Sequence, residues 1–228
     1  MAEELGKIEK PNAEDYKPGR KIFFVPLAFS SREFPQEYND KNNAYWDQVD
    51  SQLAGLEAKL GKADHIFHEL VPESGEKALE TLRQMKMNSL KVVESRVSSG
   101  TLLESTEDED ILAELMDWSR CLSMGLQSQK VYSTVYAAYV DSSNRRNEAI
   151  SLKIDQAIKE NQSAILIMGE GHHVKFPADI RLFYIAPPAL DELKRWLRDY
   201  EAKGKQPPSE ERENADTQPA KEDDKPSE

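Results

Sequence analysis

The sequence predicts an α/β fold: a single mixed, mostly parallel sheet of about five strands, packed with helices. Three observations predict it. Short apolar runs rich in aromatic and branched residues, the clearest being KIFFVPLAF (21–29) and AILIM (164–168), read as buried strands. Between such runs, apolar residues recur at steps of three and four, the mark of helices packed by one face. Strand, helix and strand in succession form a crossover unit, and a crossover pairs its two strands in parallel.

The elements follow in order. Residues 1–20 hold two prolines and many charges and are expected to be a disordered lead-in. The strand at 21–29 contains Pro26, which cannot donate to a sheet ladder and so marks its end or a bulge. Tyr45, Val49, Leu53, Leu56 and Leu60 form one helical stripe, stopped by Gly61. DHIFHEL (64–70) reads as the second strand. A helix carrying Leu79, Leu82 and Met85 spans about 76–88, and LKVVESRV (90–97) reads as a third strand. Thr106 and Glu109 have capping-box spacing at the head of a helix with a broad apolar face from Ile111 to Leu126. Glu107, Asp108 and Asp110 complement its dipole. A long helical stretch covers about 128–160, and its polar run 141–147 reads as a kink or a solvent-facing turn. Two further strands lie within 164–185, and Pro187 and Pro188 open a last helix striped by Leu190, Leu193, Leu197 and Tyr200. From residue 204 the chain holds four basic and eight acidic residues and no large apolar one, so an α/β domain at 21–203 is expected to end in a disordered acidic tail at 204–228.

Composition excludes several function classes. A formal net charge of -12 over 228 residues, with no local basic cluster, argues against nucleic-acid binding. The single cysteine, Cys121, cannot form an internal disulfide and fits a reducing compartment; in its amphipathic helix it reads as a small buried side chain. The polar start is not a signal peptide, and no apolar run approaches the ~20 residues of a membrane helix. A cytoplasmic protein without membrane insertion is expected, with a small molecule or a protein as its partner. Trp118, Tyr132, Tyr136 and Tyr139 form either core or a homo-oligomer face.

AILIMGEGHHVKFPADIRLFYI (164–185) is where chemistry is expected. An apolar strand ends at Gly169, Glu170, Gly171, His172 and His173, and α/β proteins bind ligands at the carboxyl ends of parallel strands. Gly169 and Gly171 allow a sharp turn and close approach of a ligand. His172 and His173 suit a proton carrier, a divalent transition-metal ligand or a cap on backbone groups. No Lys-Ser/Thr follows, so this is not a phosphate-cradling loop. Glu69 ends the second strand, on the face shared by His65 and Phe67, where it either meets His172 over one ion or pairs with an arginine. Arg145, Arg146 and Asn147 precede the loop; an arginine there either clamps a carboxylate or phosphate or is solvated helix surface. Asp117, Trp118 and Arg120 read as packing with a local ion pair.

RNEAISLKIDQAIKENQSAILIMGEGHHV (146–174) resembles the closing segment of the TraB family, which belongs with the GumN-like and Tiki-like proteins and, more remotely, the erythromycin-esterase-like ones. The positions carrying the likeness are Arg146, Asn147, Gly169 and His172, with Glu69 in HIFHELV (65–71) as the strand-ending glutamate. The resemblance implies a metal-dependent hydrolase ancestry in which two histidines and a glutamate share an ion. The first Gly-x-x-His of the family is degenerate here: Pro26, Leu27, Ala28 and Phe29 stand in its place. Two functions are therefore expected as alternatives. One is a non-catalytic or degenerate member that binds a ligand or a partner. The other is a metal-dependent hydrolase using Glu69 and His172, with His173 as a further ligand and Arg146 orienting.

Overall fold

A computed structural model describes residues 12–29 and 34–203. The expected tail at 204–228 and the first eleven residues of the lead-in lie outside them. The rest of the lead-in is ordered: Ala13–Tyr16 forms a 3-10 turn capped by the Asn12 side chain, and the Arg181 side chain reaches the Asp15 carbonyl at 2.7 Å.

Five strands and six helices make up the described chain. In order they are β1 (Lys21–Pro26), α1 (Gln36–Leu60), β2 (His65–His68), α2 (Gly75–Gln84), α3 (Leu90–Val97), β3 (Leu102–Glu104), α4 (Glu109–Ser123), α5 (Gln129–Ala157), β4 (Ser163–Met168), β5 (Arg181–Tyr184) and α6 (Pro188–Ala202). The sheet order is β3-β2-β4-β1-β5, and all four pairings are parallel. Pro26 is the last residue of β1, beyond which its missing N–H is not needed. Gly61 ends α1 with φ +100°, a backbone that side chains resist.

Strand alternation sends successive side chains to opposite faces, and the two faces have different covers. Phe23, Val25, Ile66, Leu103, Ile165 and Ile167 pack with Tyr45, Val49 and Leu53 of α1, with α2 and α3, and with Ala189 and Leu190 of α6. Ile22, Phe24, Phe67, Ala164, Leu166 and Met168 pack with Ile150 and Ile154 of α5 and with Val174, Phe176 and Ile180. The segment 169–180 is thus itself the crossover from β4 to β5, lying extended over the second face without a helix. Burying each isoleucine of α5 contributes about 2 kcal/mol.

Chain reversal between these faces positions the site. β1 is followed by a helix on the first face, whereas its neighbour β4 is followed by a segment on the second. β2 and β3 diverge in the same way. Adjacent strands whose connections part to opposite faces leave a crevice at their carboxyl ends. Glu69, Glu107 and Gly169 all follow strands at that edge.

Several expectations are corrected. LKVVESRV is helix α3, not a strand. Val92, Val93 and Arg96 fall on one helical face, and Arg96 reaches from it to Asp50 (2.7 Å) and Glu57 (3.1 Å). The third strand is instead Leu102–Glu104. The run 141–147 neither kinks nor turns, because α5 is continuous for 29 residues, held there by an Arg145–Asp141 ion pair four residues apart. The cap of α4 is Asp108, whose Oδ1 accepts the Ile111 N–H at 3.1 Å; Thr106 is buried two residues upstream. Cys121 is half-buried rather than enclosed.

Candidate functional site

At the carboxyl edge, two glutamates converge on one guanidinium. The Arg146 Nη2 donates to Glu69 Oε1 at 2.8 Å and to Glu107 Oε1, and its Nε donates to Glu107 Oε2 at 2.8 Å. Glu69 Oε2 accepts the Gly169 N–H at 2.7 Å, and Glu107 Oε1 also accepts the Leu70 N–H at 3.1 Å. The Lys153 Nζ donates to the Glu107 carbonyl and, at 2.8 Å, to Ser105 Oγ. The Glu107 side chain is 0% exposed, and those of Glu69 and Arg146 are 14% exposed. Burial works against the charge on Arg146, but Glu107 and Glu69 outweigh it and hold the guanidinium firmly protonated. Burial also lowers Lys153 from its ordinary value, against the pull of Asp108 and Glu107.

Local chain geometry explains these positions. Glu69 shares the face of Phe67, the face covered by α5, and so meets Arg146. Leu70 has φ +67°, which turns the chain sharply behind Glu69 and aims its N–H at Glu107. His68 points to the other face and is fully buried. Its Nδ1 lies 2.7 Å from the Glu69 carbonyl oxygen and its Nε2 2.9 Å from Ser89 Oγ, so the ring donates from Nδ1 and accepts at Nε2. Burial pulls its pKa down to about 4, against hydrogen bonding and charge from Glu69. Both ring nitrogens are thus occupied, on the face away from Arg146.

The glycine loop divides into two parts. A Cβ added at Gly169 would sit 3.3 Å from Glu69 Oε2, so any larger residue there would push the carboxylate back by a few tenths of an ångström from the backbone N–H it accepts. Gly171 faces open space. His172 lies against Phe24 and Phe176, with ring centroids 5.1 and 5.8 Å apart. Its Nδ1 accepts the Val174 N–H at 3.1 Å, so in the neutral ring the proton sits on Nε2. Burial lowers His172 from its ordinary value, with Glu69 opposing and His173 and Arg146 adding to the shift. His173 is exposed. Glu170 bonds Tyr184 and Lys194, away from the clamp.

These donors do not fit a metal ion. Glu69 already has a cation against one oxygen and a backbone donor on the other. His172 has no free lone pair while Val174 donates to Nδ1. Among the described residues, no three His, Cys, Asp or Glu side chains are grouped so as to hold an ion. At the position where the resemblance expects a first histidine, Phe29 packs with the first-face core, and its carbonyl accepts from Tyr38 (2.7 Å) and Asn42 (2.8 Å).

Arg145 is separate from the clamp and pairs with Glu114 at 2.6 Å and with Asp141 at 2.9 Å. Asp117 and Arg120 form a local pair at 3.3 Å. Glu107, Lys153 and Ser105 belong to the cluster, and none of them is a site candidate from the sequence. The signal for Glu107 is the one that singles out Glu69, a carboxylate just past the end of a strand. It shows only once β3 is placed at 102–104. No protein-family model, curated protein or solved structure matches this chain.

Proposed function

We propose that this chain is a non-catalytic, partner-binding α/β protein of TraB-like descent. In this reading the sheet edge serves as an internal clamp and not as a hydrolytic centre. One observation carries the reading: Glu69 gives both carboxylate oxygens to its own chain, Oε1 to Arg146 and Oε2 to the Gly169 N–H. A carboxylate held in this way offers a dication little charge, and an approaching ion would have to displace the guanidinium. Phe29, in the place of the first histidine, can neither ligate nor carry a proton. Surface is then left to carry function, and α5 exposes Val131, Tyr132, Tyr136, Val140 and Leu152. The net charge of -12 favours a protein or small-molecule partner over nucleic acid. The lone Cys121 suits the reducing cytoplasm. No described helix is long and apolar enough to cross a membrane.

The test is metal content by mass spectrometry on protein purified without an affinity tag, for the wild type, Glu69→Gln and His172→Ala. The expected result is a transition metal well below stoichiometric in all three. A near-stoichiometric metal that disappears in both variants refutes the reading and favours the metal-dependent hydrolase using Glu69 and His172.

A further inference from the structure

The end of α6 and the start of α1 enclose a surface groove. Its cavity of about 380 Å³ is lined by Trp196, Asp199 and Tyr200 of α6, by its C-cap Lys203, by Glu37 of α1 and by its N-cap Pro35. Trp196, Tyr200 and Lys203 recur at steps of four and three, so one side of α6 forms a wall along its last two turns. The Trp196 and Tyr200 rings are half-buried and stacked, with centroids 4.7 Å apart and planes at 19°. Phe34 and Tyr38, both buried, hold the Trp196 ring from the α1 side, with centroids 6.2 and 5.3 Å away. The aromatic wall is thus fixed by packing beneath it. Glu37 and Asp199 add two carboxylates to the groove, and neither makes an ion pair among the described residues.

We infer that this groove takes a short, cationic, proline-containing segment, and that its occupant is the chain's own residues 204–208, GKQPP. The inference goes beyond the reading of the sheet edge and does not draw on it. Three features name the occupant. The first is continuity: Lys203 lines the groove and also passes the chain on to Gly204. Gly204 follows the C-cap of α6, the position at which glycine reverses a chain out of a helix. Five extended residues reach about 16 Å, and the wall from Lys203 back to Trp196 is about 10 Å long. Pro207 and Pro208 can therefore come level with the Trp196 and Tyr200 rings. The second is shape. Paired prolines are already extended, have no N–H to leave unpaired, and lie against aromatic rings at little ordering cost. The third is charge: Lys205 supplies the cation that Glu37 and Asp199 lack. Glu210 and Glu211 carry the wrong sign for these carboxylates, so the fit ends near Pro208. Tethering places the segment at an effective concentration in the millimolar range, so even a weak contact is populated.

The test is fluorine NMR on the full chain labelled with fluorotryptophan, with one resonance for each of the three tryptophans. Trp196→Phe identifies the resonance at the groove. The double variant Pro207→Ser/Pro208→Ser is expected to shift the Trp196 resonance and to leave those of Trp46 and Trp118 in place. Lys205→Glu should shift it in the same direction. The peptide GKQPPS, added at millimolar concentration to the proline variant, should return it toward the wild-type position. A Trp196 resonance that stays in place in the proline variant overturns the inference. So does a shift shared by Trp46 and Trp118, one that Lys205→Glu fails to reproduce in direction, or one that the peptide fails to reverse. A wild-type resonance that moves over an about hundredfold range of protein concentration overturns it in favour of the segment of a second copy, because a contact within one chain is independent of concentration.

Discussion

Arg146→Met isolates the clamp, because methionine keeps most of the volume and removes the charge. It leaves Glu69 and Glu107 facing each other in a site where Glu107 is wholly enclosed. Breaking a buried pair by deleting one partner costs about 3–5 kcal/mol, mostly from the charge left behind. Solvent around Glu69 screens part of this, so the expected loss at pH 8 is about 3 kcal/mol. Two carboxylates without a cation between them cannot both stay ionised, so one takes up a proton as the pH falls. Uptake by the folded state alone means that stability falls as pH rises. Relative to wild type, the variant should therefore recover about 1–2 kcal/mol between pH 8 and pH 5. Adding Glu107→Gln, which removes one of the stranded charges, should restore a similar amount at pH 8. Urea unfolding at the two pH values measures all three quantities. A loss under about 1 kcal/mol, equal at both pH values, would refute the clamp as a buried electrostatic unit.

Two more predictions follow from the same edge. His68 is held neutral at about 4, below its unfolded value, so between about pH 6.5 and 4 the unfolded chain binds a proton that the folded chain refuses. Stability should fall by up to about 3 kcal/mol across that window, and His68→Asn should remove this component; parallel urea-midpoint curves for the two proteins would contradict it. Gly169→Ala crowds Glu69 Oε2 and should cost about 1 kcal/mol, whereas Gly171→Ala, in open space, should stay within about 0.5 kcal/mol in thermal melts. Equal effects at the two glycines would show that the Gly169 N–H does not position the carboxylate.

Where one physical signal dominated, the sequence was legible. β1 and β4 are buried along their whole length and apolar after their first residues, Lys21 and Ser163, because both of their faces are covered, and such runs resemble little else. The stripe of α1 and the proline start of α6 are equally local signals. LKVVESRV was not legible, since eight residues with three valines suit either a strand or a short helix. The choice was made by Arg96, whose partners Asp50 and Glu57 are about 40 residues away in sequence. β3 is only three residues long with Leu102 exposed, and an edge strand of that length leaves almost no periodicity to read.

At the candidate site, the same mis-assignment hid a member of the clamp. With β3 read at 90–97, Glu107 was only an acidic residue near a helix start. With β3 at 102–104, it follows a strand end as Glu69 does, and it becomes the more buried partner of Arg146. A strand end predicts where a carboxylate sits and not what it faces. The partner of Glu69 was set by α5, which carries Arg146 over the second face only because Ile150 and Ile154 dock there. Chemistry at this edge is thus decided by a helix register. A one-residue slip of α5 would carry Arg146 off both glutamates and leave Glu107 buried without a cation. The packing of α5 and the ionisation of the clamp should therefore fail together, with Arg146→Met loosening α5 as well as the edge.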